Sequence, residues 1–384
     1  MQLKLTRRRW LTAVCLGLLA GSSGNLLARQ VNWAGARITG RWPTGNETLA
    51  PLTAIGQRVF CAGERSITLI DVAAGQSLWQ REHDLPGGVV FRPRVADGIA
   101  ICAGEEALGA WQVGSGKPLW RYRAREQLGV PSLHDGQVFV GDGHELVCLN
   151  LATGKERWRF AAIADNLISY APTATGDMVF VGPGDGRLYA LAVTDGSLRW
   201  QVNHIDEWQY LRQLHVAGKV LVAGSYKEIL YGIDILRGEI LWRFNAGNFI
   251  NSHHVAAGRA YLWSPTGWLY AIDARTGNIH WRHLTTDYST GRNHWASLLA
   301  ELVVLEDRLY ALDIDNVLHV LKTTDNHELM RLKLPEAVQP FLLPLSPNRL
   351  LFGTKTGDLL QVLPDLTDNT TFATFTHPNR ENKP

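Results

Sequence analysis

The chain has 384 residues, a length that by itself suggests two or three domains. Hydrophobic residues make up 46% and charged residues 19%, which excludes a disordered chain and a fully membrane-embedded one. Four Cys exclude a disulfide-dense scaffold, and a net charge of +2 provides no basic field for nucleic acid. Gly, with 37 residues, and Trp, with 14, are in unusual excess.

The first residues predict an export signal. Residues 1–28 hold four cations and no acid, and the apolar run Leu11–Ala20 is too short to span a bilayer. Thr6–Leu11, which contains three consecutive arginines, resembles a twin-arginine signal, with a general secretory signal as the alternative. Val14 before Cys15 does not fit a lipoprotein signal. We expect a soluble periplasmic or secreted protein with a mature net charge of −2 and an open cleavage site.

A repeat occupies most of the remaining chain. Six segments carry the pattern Gly-x-x-x-Trp, and consecutive Trp are separated by 41, 38, 42, 42 and 39 residues. The pairs are Gly75/Trp79, Gly116/Trp120, Gly154/Trp158, Gly196/Trp200, Gly238/Trp242 and Gly277/Trp281. A seventh, degenerate copy has Asn326 and Met330 at these positions. A period of about forty residues indicates a repeat architecture.

Each unit predicts four short antiparallel strands separated by Gly, Asp and Asn turns. Four-stranded units at this period are typical of a β-propeller, with a solenoid as the alternative. Eight leading turns are predicted, near Gly56, Gly98, Gly136, Gly176, Gly218, Gly258, Asp307 and Asn348. The fold class is therefore all-β, with eight four-stranded antiparallel blades in one closed ring over residues 31–363 and a polar tail over 364–384.

The last blade needs an outer strand from elsewhere in the chain. Its hairpin, Leu350–Leu363, has no clear Trp strand after it, and Trp42 lies 37 residues before Trp79. We expect Ala36–Trp42 to close this blade as an N-terminal strand, which would remove two free sheet edges. Thr371–Phe375 is the alternative closing strand.

The recurring Trp residues have a structural interpretation first. A large side chain on each outer strand can pack against the neighbouring blade. We expect this docking role for Trp42, Trp79, Trp120, Trp158, Trp200, Trp242 and Trp281.

The stretches ending at Trp200 and Trp281 carry a recognisable pattern. Leu188–Leu191 with Gly196–Trp200, and Leu269–Gly277 with Trp281, resemble the PQQ-type propeller repeat. Two groups share this repeat. Quinoprotein alcohol dehydrogenases imply catalysis with pyrroloquinoline quinone (PQQ) and Ca²⁺, and BamB-like propellers imply a non-catalytic scaffold.

The sequence departs from the quinoprotein pattern. Cys61, Cys102 and Cys148 are isolated, so the adjacent-Cys ring disulfide of that group is missing, and no haem-attachment motif occurs. We therefore expect a non-catalytic periplasmic interaction scaffold with no cofactor and no metal. A compact PQQ- and Ca²⁺-dependent oxidoreductase, or a small-ligand binder at the channel mouth, is the alternative, and no catalytic residue is assigned.

Candidate binding residues lie in the connections that lead into the innermost strands. The distance from each Trp to the next leading turn varies from 14 to 26 residues, and such variation often marks a binding face. The candidates are Arg92, Tyr170, Trp208, Arg212, His253, His254, Arg292, His294 and Trp295. They could form a ligand or metal pocket, a protein-binding patch, or a hydrated rim of ordinary surface residues. We expect envelope-protein partners, no nucleic acid, no transmembrane segment and a monomer.

Overall fold

All regular structure in the described part of the chain is β-sheet. The computed structural model describes residues 35–163, 166–184, 186–203, 213–224, 228–247, 250, 252–264, 266–285 and 298–365. They contain 32 strands in eight four-stranded antiparallel sheets, which confirms the predicted eight-bladed propeller. The predicted signal and nearly all of the predicted tail lie outside these residues.

Blades 1 to 4 follow one another along the chain. Blade 1 comprises β2 (Thr53–Ile55), β3 (Arg58–Ala62), β4 (Ser66–Asp71) and β5 (Gln76–Glu82). Blade 2 comprises β6 (Arg94–Ala96), β7 (Ile99–Ala103), β8 (Ala107–Gln112) and β9 (Pro118–Arg123). Blade 3 comprises β10 (Ser132–His134), β11 (Gln137–Asp142), β12 (Glu145–Asn150) and β13 (Glu156–Ala161). Blade 4 comprises β14 (Thr173–Thr175), β15 (Met178–Val181), β16 (Leu188–Ala192) and β17 (Leu198–Val202).

Blades 5 to 8 continue in the same way, and the last one borrows its outer strand. Blade 5 comprises β18 (Gln213–Ala217), β19 (Val220–Gly224), β20 (Ile229–Asp234) and β21 (Ile240–Asn245). Blade 6 comprises β22 (Ser252–Ala256), β23 (Arg259–Trp263), β24 (Trp268–Asp273) and β25 (Ile279–Leu284). Blade 7 comprises β26 (Val303–Leu305), β27 (Arg308–Leu312), β28 (Val317–Lys322) and β29 (Glu328–Lys333). Blade 8 comprises β30 (Val338–Ser346), β31 (Arg349–Thr354), β32 (Leu359–Asp365) and β1 (Gly35–Trp42).

The two ends of the chain close the ring. Strand β1 pairs antiparallel with β32, which confirms the predicted N-terminal closure, whereas the alternative strand Thr371–Phe375 lies outside the described residues. The innermost strands of successive blades contact one another in order, and β30 of blade 8 contacts β2 of blade 1. The ring therefore has no open end.

Six of the recurring Trp side chains join one blade to the next. Their indole N–H groups donate to backbone carbonyls of the following blade at N···O distances between 2.8 and 3.1 Å. The donor and acceptor pairs are Trp79/Val113, Trp120/Leu151, Trp158/Val193, Trp200/Ile235, Trp242/Ala274 and Trp281/Thr323. Five of the rings also lie against the turn Gly of the following blade, where a Cβ would collide with the indole.

Trp42 differs from these six residues. In blade 1, Trp79 lies opposite Leu69, directly after a bulge. In blade 8 the equivalent bulge falls between Ile38 and Gly40, so the register places Gly40 at the Trp position. Trp42 lies two residues further on and folds its ring over Gly40, where a Cβ would collide with it. The 37-residue spacing thus misaligns this strand by two residues.

Candidate functional site

The connections between blades all lie at one end of the sheets. Each blade is an antiparallel meander, so the link from an outer strand to the next innermost strand shares an end with the turn between second and third strands. The channel mouth at this end is bordered by the innermost strands. Of the predicted site residues, Trp208, Arg212, Arg292, His294 and Trp295 lie outside the described residues. The structure places Arg92, Tyr170, His253 and His254.

One position on the innermost strands recurs in all eight blades. Each innermost strand reaches the second strand through a two-residue turn, and the residue that pairs with the third residue after that turn is equivalent from blade to blade. We call this set the inner ring. Its members are Thr53, Arg94, Ser132, Thr173, His215, His254, Val303 and Leu343.

The inner ring binds neighbouring blades to each other. Thr53 Oγ1 donates to the carbonyl of Pro93 at 2.6 Å, and Thr173 Oγ1 donates to that of Leu214 at 2.7 Å. Arg94 Nε donates in the same way to the carbonyl of Pro131 at 3.1 Å. Each acceptor is the residue just before the ring member of the following blade. This position therefore has a structural task, and Arg94 performs it with one of its three guanidinium nitrogens.

Three histidines meet where blades 5 and 6 adjoin. The His215 ring centroid lies 4.9 Å from that of His253 and 5.7 Å from that of His254. The sequence analysis identified His253 and His254 but missed His215 and Arg94. Comparison of equivalent positions on the innermost strands would have found both, because they share the ring position of His254.

Two arginines and one carboxylate border the same region. Arg92, which precedes β6, approaches Glu301, which precedes β26, with 3.7 Å between Nη2 and Oε2. This ion pair joins the segment before the innermost strand of blade 2 to the segment before that of blade 7, across the channel mouth. Burial, with Arg92 adding to its effect, lowers the pKa of Arg94. The two guanidinium groups therefore share the field of Glu301, whose side chain is 68% exposed.

The histidines are held in their neutral form. Burial, reinforced by His254, lowers the pKa of His215 to about 4. Burial also lowers the pKa of His254, with Glu301 opposing the shift and Arg92 adding to it. His253 is buried, its pKa is well below the ordinary value because of burial, and its Nε2 has no hydrogen-bond partner in the described structure.

Tyr170 and Ser252 lie at or just before the start of an innermost strand. Tyr170 precedes β14 and is half-buried. Ser252 Oγ accepts a hydrogen bond from the backbone N–H of Leu302 at 3.1 Å, so this inner-strand residue links blades 6 and 7.

Among the described residues, the channel does not provide the oxygen ligands that Ca²⁺ usually takes. Ca²⁺ takes six to eight oxygen ligands, and carboxylates usually supply several of them. Among the charged side chains described above, Glu301 is the one carboxylate, and it faces Arg92. No group of three or more His, Cys, Asp or Glu within the described residues could hold a metal ion. The three described Cys are buried and free. That the protein works without a cofactor stays a prediction.

A second polar cluster is buried in blade 7. His319 Nδ1 lies 3.0 Å from Glu328 Oε1, and His319 Nε2 lies 3.3 Å from Asp313 Oδ2. Arg331 Nη2 also donates to Glu328 at 2.6 Å. Asp313 accepts hydrogen bonds from two backbone N–H groups of its own turn, so this cluster has a structural role.

These features define an eight-bladed β-propeller built from PQQ-like repeats. A family model described as outer membrane protein assembly factor BamB matches residues 63–142, 104–215 and 205–316, which together cover more than half of the chain. The chain belongs to this family.

Curated relatives resemble parts of the chain. Outer membrane protein assembly factor BamB of Yersinia pestis is 28% identical over 41% of this chain and 43% of its own length. The protein of the same name from Moranella endobia is 24% identical over 56% of each chain. The dehydrogenase subunit of a quinone alcohol dehydrogenase from Komagataeibacter europaeus is 27% identical over 37% of this chain and 24% of its own length. The matches thus span about half or less of these relatives.

Solved structures share the fold. BamB from Moraxella catarrhalis superposes with a TM-score of 0.66 and 18% identity, covering 86% of this chain and all of that one. A quinohemoprotein alcohol dehydrogenase from Pseudomonas putida HK5 gives a TM-score of 0.64 and 11% identity, covering 91% and 78%. Both groups therefore have this architecture, and function has to be argued from the surface of this chain. No helix in the described residues is long and apolar enough to cross a membrane.

Proposed function

We propose that this protein is a non-catalytic, periplasmic interaction scaffold that binds an envelope protein through the face bearing the connections between blades. One observation carries the proposal: large apolar side chains are exposed on that face. Ile163 is 67% exposed and Leu167 41% in the connection between β13 and β14. Val90, before β6, and Ile314, in the turn between β27 and β28, are each 44% exposed.

Exposed apolar side chains favour protein binding because burying them against a partner is the main favourable term in association. All four lie at the end of the sheets where consecutive blades are connected, and the sequence of these connections also contains Trp208 and Trp295. Trp is enriched among the residues that dominate binding energy. Family membership supports a scaffold role for this face, and the predicted N-terminal signal supports an exported protein.

The double variant Ile163→Asp, Leu167→Asp tests this face. A charge in the centre of a desolvated interface costs several kcal/mol, so we expect co-purification of the envelope partner to fall at least about tenfold. Leu236→Asp is the matched control, because Leu236 is also 63% exposed but lies in the turn after β20, at the other end of the blade. Equal recovery of the partner with both variants would overturn the proposal.

The quinoprotein relative favours a second candidate, a compact oxidoreductase. Titration of the purified protein with PQQ in the presence of Ca²⁺ would follow the quinone absorbance and the reduction of a dye by alcohols. The scaffold proposal predicts neither saturation at one quinone per chain nor turnover. Stoichiometric binding with turnover would replace the scaffold by the enzyme.

A further inference from the structure

We propose that the channel mouth binds one small oxyanion, a carboxylate or a phosphate group, between Arg92, Arg94 and His254. The site would be separate from the apolar residues of the partner-binding face. The site consists of polar groups at the centre of the ring. This proposal does not depend on the scaffold role.

Positive charge exceeds negative charge among the described residues of the proposed site. Arg92 and Arg94 contribute two positive charges, and within the described residues the single carboxylate beside them is that of Glu301. Glu301 is mostly exposed, and its one ion pair within the described residues is with Arg92, at 3.7 Å. Uncompensated charges in partly buried positions are unfavourable, and an incoming anion would offset them.

Hydrogen-bond donors of Arg94 and of the histidines are available for a ligand. Arg94 uses Nε for the carbonyl of Pro131, and no described carboxylate contacts its two Nη groups. A guanidinium edge of this kind matches the paired oxygens of a carboxylate or phosphate. Neutral imidazoles at His215 and His254 can each donate one N–H without adding further charge.

The basic side chains occupy equivalent positions around the inner ring. Three of the eight inner-ring positions carry basic side chains, at Arg94, His215 and His254, whereas the other five hold Thr, Ser, Val or Leu. A purely structural ring needs only a short donor, as Thr53 and Thr173 show. The Arg92–Glu301 contact shows that side chains of non-adjacent blades, 2 and 7, come close enough at the channel mouth to share one small ligand.

Calorimetric titration of the full protein with inorganic phosphate and, separately, with succinate tests the site and distinguishes the two oxyanion sources. We expect saturable binding of at least one of them at one per chain. Binding should weaken at least tenfold in Arg92→Gln, which removes a charge, and in His254→Leu, which removes an N–H donor. Arg199→Gln, at an exposed position on the outer strand of blade 4, is the control and should bind as the unchanged protein does.

Arg92→Gln keeps the test clear of folding defects, since the described contact of Arg92 is with Glu301 and not with an inter-blade carbonyl. A second readout is the imidazole proton resonance of His254, whose pKa should rise when an anion is bound nearby. Failure of both anions to bind, or equal binding by Arg92→Gln and the unchanged protein, would overturn the proposal. Neither result would bear on the test of the partner-binding face.

Discussion

At the scale of single residues, the recurring Trp combines two contacts in one side chain. The ring covers a turn Gly of the next blade, and the indole N–H donates a hydrogen bond to a backbone carbonyl there. The regular spacing of the Trp residues predicts that each ring packs against a neighbouring blade, because so large an apolar side chain has to be buried. The carbonyl acceptor is set by the register between blades, which no local pattern shows.

Trp158→Phe separates these two contributions. The change keeps most of the ring contact but removes the hydrogen bond to Val193, so we expect a loss of about 1–2 kcal/mol in the free energy of unfolding, measured by urea denaturation. Trp42→Phe is the control, because no described inter-blade hydrogen bond involves Trp42. Equal losses in the two variants would show that the indole hydrogen bond contributes nothing.

His319 makes stability depend on pH. Burial opposes its charged form, but hydrogen bonds to Asp313 and Glu328 raise its pKa above the ordinary value. Of the charged groups near it, Glu328 has a pKa far below its usual range, because bonds from His283, His319 and Arg331 outweigh burial. Stability from His319 is therefore fully present below about pH 6.5 and is lost as pH rises through the folded-state pKa.

His319→Gln should remove this dependence. We expect the variant to be destabilised more at pH 6 than at pH 8.5, with unfolding free energies measured in urea at both values. The contribution of Glu328 does not interfere, because its stabilisation is lost only in acid, below about pH 4. The same destabilisation at both pH values would contradict a charged His319.

At the scale of the strand, the outer edge of each blade shows what sequence patterning could not supply. In blades 1 to 7 a bulge skips the residue just before the Trp position, as at Leu78 and Leu119. These apolar side chains are 39% and 43% exposed. Strict alternation predicts a continuous ladder there, because the extra residue of a bulge leaves no compositional mark. The same bulge explains the misplaced alignment of Trp42.

Strand β1 tests ring closure at this scale. Deleting residues up to Trp42 exposes the hydrogen-bonding edge of β32 and removes Trp42 from the core. We expect a loss of several kcal/mol, seen as a lower melting temperature and as association in size-exclusion chromatography. The control is removal of residues 366–384, which we expect to leave melting unchanged. Unchanged melting after the β1 deletion, with loss of stability after the control deletion, would contradict N-terminal closure.

At the scale of the whole molecule, the repeat made the fold predictable from the sequence. Most residues of the channel group could not be predicted from it. Eight leading turns, six of them followed by a Gly-x-x-x-Trp segment, predict the blade number, because each unit has to bury its faces against neighbours. The channel group comes from positions far apart in the chain, Arg94, His215 and Glu301, and none of them belongs to the repeat signature. Arg92, His253 and His254 could be predicted because they lie in or close to the connections between blades, whereas the inner-ring position becomes visible only when blades are compared strand by strand.

The central claim is that the face bearing the connections contacts an envelope protein. Site-specific photo-crosslinking in cells tests it most directly, with the crosslinking residue placed at Ile163 on this face and at Leu236 on the opposite one. We predict one discrete crosslinked product from position 163 and none from position 236. A product from position 236 with none from position 163, or no product from either, would contradict the claim.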